Sequence, residues 1–356
     1  MSWNPSTAGT VTGYNLYYGS VTQTYTNMVS AGNVTSATVT NLQPGKFYYF
    51  AATAHDSSGN ESPFSNEAAV AGFKIGAGSG VWMNTLPDAM TNDVVNFSLG
   101  SGAPAGTGID TNGYFSWNTT LANANSTNLV TVHFTDLTHT NASFQATVAV
   151  TVLDSVLVTM PSVAVQTGQN ASLPLTTTAS ADITNLSFNV SWPGSKLLNP
   201  TLIINPPLTG GSLLNQGTNL VVQIWCSSGA IPAGTNQLAQ INFQAAASQP
   251  SAFLELPASN VSAVKPDGSA FPFGWAGSGE AVVVGVNPLL RSGVDASQNR
   301  TLTLYSNPGN TYQLQATTDI SSPNGWQTTQ TYSPSSVQQT INVDSANPVI
   351  FYRLMK

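Results

Sequence analysis

The chain has 356 residues, 41% of them hydrophobic but only 6% charged, against about 25% in an average soluble protein. Net charge is −7 with eight Lys and Arg and no basic cluster, which argues against nucleic-acid binding. A single cysteine, Cys226, excludes an intrachain disulfide and thiolate-built metal sites, and no run of apolar residues is long enough to cross a bilayer as a helix.

A surface this poor in charge must be made of Ser, Thr, Asn, Gln and Gly, which suit the wet faces of antiparallel strands better than helices. No convincing helical periodicity occurs, so the chain is expected to be all-β, with tandem β-sandwich modules. Its length leaves room for two to four domains.

From the start, Tyr14-Asn-Leu-Tyr-Tyr18 reads as a strand, and Tyr48, Phe50, Ala52 and Ala54 alternate as the inward row of another. Asp56-Ser-Ser-Gly-Asn60 reads as a turn, with a last strand from Phe64 to Val70. Trp3 and Leu42-Gln-Pro44-Gly-Lys-Phe-Tyr48, the spacing of a tyrosine corner, make residues 1–72 resemble a fibronectin type III domain without its first strand. That resemblance implies a spacer sandwich, with the Tyr48 phenol anchoring a loop backbone. Because Met1 falls inside a strand of the family pattern, a signal peptide is expected upstream of Met1, with an extracellular or cell-surface location.

Gly76-Ala-Gly-Ser-Gly80 reads as a linker. Residues 75–153 carry Gly102-Ala-Pro-Ala105, Gly113-Tyr-Phe-Ser-Trp117, Val130-Thr-Val-His-Phe-Thr-Asp136 and a long strand from Phe144 to Val152. They resemble the cadherin-like, immunoglobulin-like modules of bacterial surface proteins. Calcium between modules is a possibility that this resemblance raises, and Asp110, Asp136 and Asp154 are its candidate ligands. Three isolated aspartates fall short of the six to eight oxygens Ca²⁺ takes, so solvated or turn-forming Asp is the preferred reading. No cofactor is expected.

Residues 154–286 form the longest continuous β reading. The Gly168 turn, Leu173-Pro-Leu175, the strand ending in Trp192 and Ile231-Pro-Ala-Gly234 leading into Leu238 to Phe243 make this segment resemble a cohesin. Cohesins are nine-stranded jelly rolls that receive dockerins, related in fold to carbohydrate-binding modules. The resemblance implies a partner face made by the strands at 185–192, 219–226 and 237–245. Alternation then puts Leu186, Phe188, Val190 and Trp192 inside, with Leu220, Val222, Ile224, Cys226, Ala239, Ile241 and Phe243. Left outside as candidate partner-binding residues are Asn185, Ser187, Asn189, Val221, Gln223, Trp225, Gln240 and Asn242. A solvent-facing Trp225 beside Val221, ringed by amides, has the composition of a small binding patch. Cohesins commonly have an acid two residues after the asparagine, where this chain has Ser187, and Asp after the aromatic, where it has Pro193-Gly194. The partner that the resemblance implies is a dockerin-like protein or a polysaccharide.

Residues 287–356 read as a short module with strands at Thr301–Tyr305, Thr311–Ala316, Gln338–Val343 and Val349–Leu354. Asn307-Pro-Gly309 is expected to close the first two into a hairpin. The segment resembles small C-terminal β modules of exported bacterial proteins.

Chemistry is sparse. The histidines, His55, His133 and His139, form no constellation, and no serine stands in a nucleophile-elbow context. The four glutamates, Glu61, Glu67, Glu255 and Glu280, suggest no catalytic pair. The expectation is a non-catalytic extracellular spacer, adhesin or scaffold segment with a cohesin-like binding module. The alternative is the carbohydrate- or dockerin-binding tail of a polysaccharide-degrading enzyme.

Overall fold

The computed structural model describes residues 1–85, 93–138, 143–322, 324–343 and 349–356. Among them the regular elements are strands, apart from one 3-10 turn at Leu121–Asn123. They form two compact units, Met1–Ser155 and Val156–Lys356.

The first unit is built on a seven-stranded sheet. Its order is Asn27–Gly32, Gly13–Gly19, Phe47–His55, Ala68–Gly76, Ser143–Leu153, Ser126–Asp136 and Val95–Leu99. The joint in the middle is a parallel pairing, from Ala69 opposite Ala146 to Gly76 opposite Leu153. The strand expected at Phe64–Val70 therefore starts and ends later. Its partner comes from more than seventy residues away, so nothing local marks its end. Residues 76–80 form a tight turn rather than a linker. Ala77 is buried, its N–H bonded to Leu153 O, and Ser155 Oγ donates to Ala77 O. Across the second half of the sheet lies a small one of Gly80–Asn84, Tyr114–Asn118 and Thr107–Ile109. Val81, Met83, Phe115 and Trp117 from it pack on Val130, Val132, Phe134, Val148 and Val150.

In the first half, Tyr48 accepts a hydrogen bond from the backbone N–H of Gln43 at 3.2 Å, the loop anchor that the tyrosine-corner spacing implies. The expected one-sided burial of this strand does not hold. Phe50 through Ala54 are all buried and Tyr48 is half-buried, because the other side of the strand is covered as well. There Glu61 accepts from Asn15 Nδ2 at 2.8 Å, Tyr17 Oη at 3.0 Å and Thr53 Oγ1 at 2.6 Å, while Phe64 packs edge-on against Tyr17.

The second unit opens on a sandwich. One sheet runs Leu197–Ile204, Gly234–Ala245, Asn170–Ala179, Ser155–Thr159 and Phe273–Ala276. The facing sheet runs Gly210–Asn215, Asn219–Trp225, Asn185–Ser191 and Ala258–Val264. Leu173, Leu175, Phe188, Val190, Trp192, Val222, Ile224, Ile241 and Phe243 fill the space between them. Trp192 meets Phe243 edge-on at 5.5 Å, and its indole N–H is satisfied by Leu197 O at 2.9 Å. Pro161 has no N–H to donate, and there the first strand leaves the large sheet. Its continuation, Ser162–Gln166, joins a third sheet beside Gly279–Val284 and Ala252–Leu256.

The closing module holds two three-stranded sheets around Leu302, Leu304, Leu314 and Tyr332. The hairpin expected across Asn307-Pro308-Gly309 is absent. Arg300–Tyr305 pairs with Leu289–Val294 and Gln338–Asn342, whereas Tyr312–Thr317 lies in the other sheet. Asn307 is held elsewhere, accepting from Gln166 Nε2 and donating to Gly285 O, so the turn carries the chain across the module core.

Candidate partner-binding face

The outer surface of the four-stranded sheet is fixed by its register. Buried Leu186, Phe188, Val190, Leu220, Val222 and Ile224 set the phase, so the residues between them face away from the core. Asn185 lies opposite Trp225, Ser187 opposite Gln223 and Asn189 opposite Val221. On the next strand, Gly210 pairs with Trp225, Ser212 with Gln223 and Leu214 with Val221. On the far side, Ser262 lies opposite Ser187 and Val264 opposite Asn185. Six of the eight predicted residues, Asn185, Ser187, Asn189, Val221, Gln223 and Trp225, thus share one surface.

Gln240 and Asn242 do not. Their strand, Gly234–Ala245, belongs to the five-stranded sheet, paired with Asn170–Ala179 and Leu197–Ile204. They point outward as alternation requires, but from the opposite side of the sandwich, where Asn242 Oδ1 accepts from Ser172 Oγ at 2.6 Å. Both sheets give the same in–out pattern, so alternation could not tell which of them this strand joins.

Trp225 is half-buried, and its cover is local. The indole lies on Gly210, so close that a Cβ there would stand 2.3 Å from its Cε2. Glycine at 210 is what lets the ring lie down on its neighbour strand. Leu214 is 58% exposed and borders Val221, extending the apolar strip beyond the predicted residues. The signal for this neighbour was the pair Gly210-Gly211 leading into a short apolar run. Around the strip stand Asn185, Ser187, Asn189, Ser212, Gln223 and Ser262, so none of the outward residues named here is charged. Ser212 Oγ reaches Gln223 Oε1 at 3.3 Å.

Cys226 ends the inward row, buried, and burial pushes its thiol above the usual range. The aspartates proposed for calcium are occupied locally. Asp110 accepts the N–H groups of Asn112 and Tyr114 at 2.9 and 2.8 Å, a turn-forming role. Asp136 and Asp154 are buried rather than solvated; Asp136 accepts from Thr138 N–H, and Asp154 from Asn125 Nδ2. Among the described residues no three His, Cys, Asp or Glu side chains gather as a metal site. His133 is exposed, as expected, and His139 lies outside the described residues. No helix among the described residues is long and apolar enough to cross a membrane.

Residues 1–71 match the family model of the fibronectin type III domain. No curated protein sequence matches the chain. Solved structures similar to it include the seventh ScaB type I cohesin from Pseudobacteroides cellulosolvens, 19% identical, covering 38% of this chain and 95% of that one, with a TM-score of 0.32. CaCohA2 from Clostridium acetobutylicum is 12% identical, covering 36% of this chain and 91% of its own, with a TM-score of 0.33. A non-cellulosomal cohesin from Archaeoglobus fulgidus is 13% identical, with coverages of 36% and 91% and a TM-score of 0.30. The chain is a multimodular all-β protein of tandem sandwiches. It opens on a fibronectin type III domain.

Proposed function

We propose that this chain is a non-catalytic interaction segment of an extracellular multimodular protein. In this reading the Val156–Val284 sandwich docks a protein partner on the outer face of its four-stranded sheet. The observation that carries it is the contiguous strip of Trp225, Val221 and Leu214, ringed by amides and hydroxyls without a charge. Buried aromatic and aliphatic anchors inside a polar rim are the composition of a protein-recognition surface. A dockerin-like domain is the partner class that the sequence resemblance implies. With Ser187 where an acid is common, such a partner would be held by apolar contact and amide hydrogen bonds, and its affinity would change little with salt.

Three of the four glutamates have structural work that leaves little room for catalysis. Glu61 and Glu67 each collect hydrogen bonds within the first module, and Glu280 is paired with Arg291. The test is calorimetric titration of the chain with a set of recombinant dockerin domains. Binding by one of them, weakened by about 2 kcal/mol or more in Trp225→Ala, supports the reading. An affinity unchanged in both Trp225→Ala and Leu214→Asp removes this face, and a set that fails to bind removes the partner class.

A further inference from the structure

A second aromatic feature lies in the first unit, on the small sheet of Gly80–Asn84, Tyr114–Asn118 and Thr107–Ile109. Trp82 is 70% exposed, an unusual state for a residue type that is mostly buried. It cannot turn inward, because Val81 and Met83 on either side are buried in the core and fix the strand's phase. One face of its indole is covered by the Tyr114 ring, at 4.4 Å between centroids and 12° between planes. Among the described residues no second ring stacks on the other face, which is left open to solvent.

The surroundings of that open face are polar and low. Asn84 and Gly80 flank Trp82 on its own face of the strand, and the register puts Ser116 directly opposite and Asn118 opposite Gly80. Gly108 lies opposite Ser116 on the third strand. These positions carry amides, a hydroxyl and glycines, and no charge. Asp110 stands at the edge of this sheet, but its carboxylate already accepts the N–H groups of Asn112 and Tyr114 and so secures the strand that holds the second ring.

This combination selects among ligands. Among the described residues at this face, a cation on the indole would find no free counter-charge, and an anion would find no base. A protein hot spot needs a ring of further contacts to exclude water, which glycines and short polar side chains on an open sheet do not supply. A membrane surface needs a broader apolar area. A neutral sugar ring fits both halves of the site. Its flat C–H face covers an indole, while its equatorial hydroxyls reach outward to amide and hydroxyl groups. We propose that the open face of Trp82, braced by Tyr114, is a stacking shelf for a neutral polysaccharide whose sugars carry mainly equatorial hydroxyls. This site is separate from the sheet face that bears Trp225 and does not depend on the function proposed for it.

The experiment titrates the whole chain with soluble mixed-linkage β-glucan, xyloglucan and xylan, by affinity electrophoresis and calorimetry. At least one should bind, with Trp82→Ala weakening it about tenfold or more, the equivalent of about 1.4 kcal/mol. Trp82→Tyr should keep part of the affinity, and Trp225→Ala all of it. The thermal transition of Trp82→Ala shows whether the module is still folded; if it is not, the Trp82→Tyr and Tyr114→Ala comparison decides in its place. Failure of all three glycans, equal binding by Trp82→Ala, or loss with Trp225→Ala overturns the proposal. So does Trp82-dependent binding of choline, which would make this a cation site, or Trp82-dependent self-association in sedimentation.

Discussion

Glu280 and Arg291 clasp each other by two hydrogen bonds, from Nη1 to Oε2 at 2.7 Å and from Nη2 to Oε1 at 2.5 Å, at the junction between the second unit's sandwich and the closing module. The guanidinium also lies 4.2 Å over the Phe253 ring, and Ser162 Oγ donates to the same carboxylate. Phe253 in turn meets Tyr305 edge-on at 5.5 Å. Arg291 and Tyr305 from the closing module meet Glu280 and Phe253 from the sandwich in this stack, which helps to join the two into one compact unit.

Glu280→Gln should destabilise this unit by about 1 kcal/mol, a modest figure because the arginine is 41% exposed to solvent. The Arg291 hydrogen bonds hold the Glu280 carboxyl below its ordinary range. Its contribution is therefore fully present above the unfolded glutamate pKa of about 4.3, and is lost as pH falls through the lower folded value. Urea unfolding of parent and variant should differ at neutral pH and converge near pH 3. A gap that persists in acid would show that the carboxylate charge is not its source.

Gly210→Ala should lift the Trp225 indole off its neighbour strand, because the added Cβ would meet the ring at 2.3 to 2.4 Å. The expected cost is about 1–3 kcal/mol, as for overpacking. The Trp225 indole N–H signal should shift by NMR while core methyl signals stay in place. An unmoved indole would mean that the strands part more easily than the ring does.

Tyr25 is pushed up to about 12, by burial first and then by its hydrogen bond to Glu67. A tyrosine that stays protonated longer when folded makes stability fall as pH rises from about 10, the unfolded value, towards 12. Glu67→Gln should lower the Tyr25 midpoint and narrow that window. Absorbance at the phenolate band, compared between parent and variant, reads it directly. An unchanged midpoint would leave burial as the whole cause.

Cys226 offers a probe of the second unit's sandwich alone. Buried, and with its thiol pushed up by burial, it should react with DTNB far more slowly than a free thiol. Its rate should rise with denaturant in step with loss of the sandwich core, and the unfolded chain should release one equivalent. Rapid reaction under native conditions would place Cys226 outside the core.

Side-chain alternation carried most of what could be read beforehand. Leu186 to Trp192 and Leu220 to Cys226 point inward as their two-residue period demands, because a core on one side and water on the other leaves strands little choice. Pairing is a different kind of information. The face that the sequence implies puts Gln240 and Asn242 on the wrong sheet, and the expected hairpin gives Thr301–Tyr305 the wrong partner, since a sandwich presents the same alternation from either layer. Trp82 was legible in principle, as a tryptophan in the outward phase of Val81-Trp-Met83, but its significance depends on Tyr114, a residue thirty-two positions away.

The parallel pairing of Ala68–Gly76 with Ser143–Leu153 has a bearing on how this protein can be cut and recombined. Domains on a string can be excised, shuffled or swapped because each takes its hydrogen bonds with it. Here a border drawn between the first two modules would strip a strand of its neighbour along eight residue pairs, from Ala69 to Gly76. The unit that keeps its hydrogen bonds when excised is therefore the pair, and a fibronectin type III unit isolated from this chain would expose the edge of Ala68–Gly76 that Ser143–Leu153 covers here.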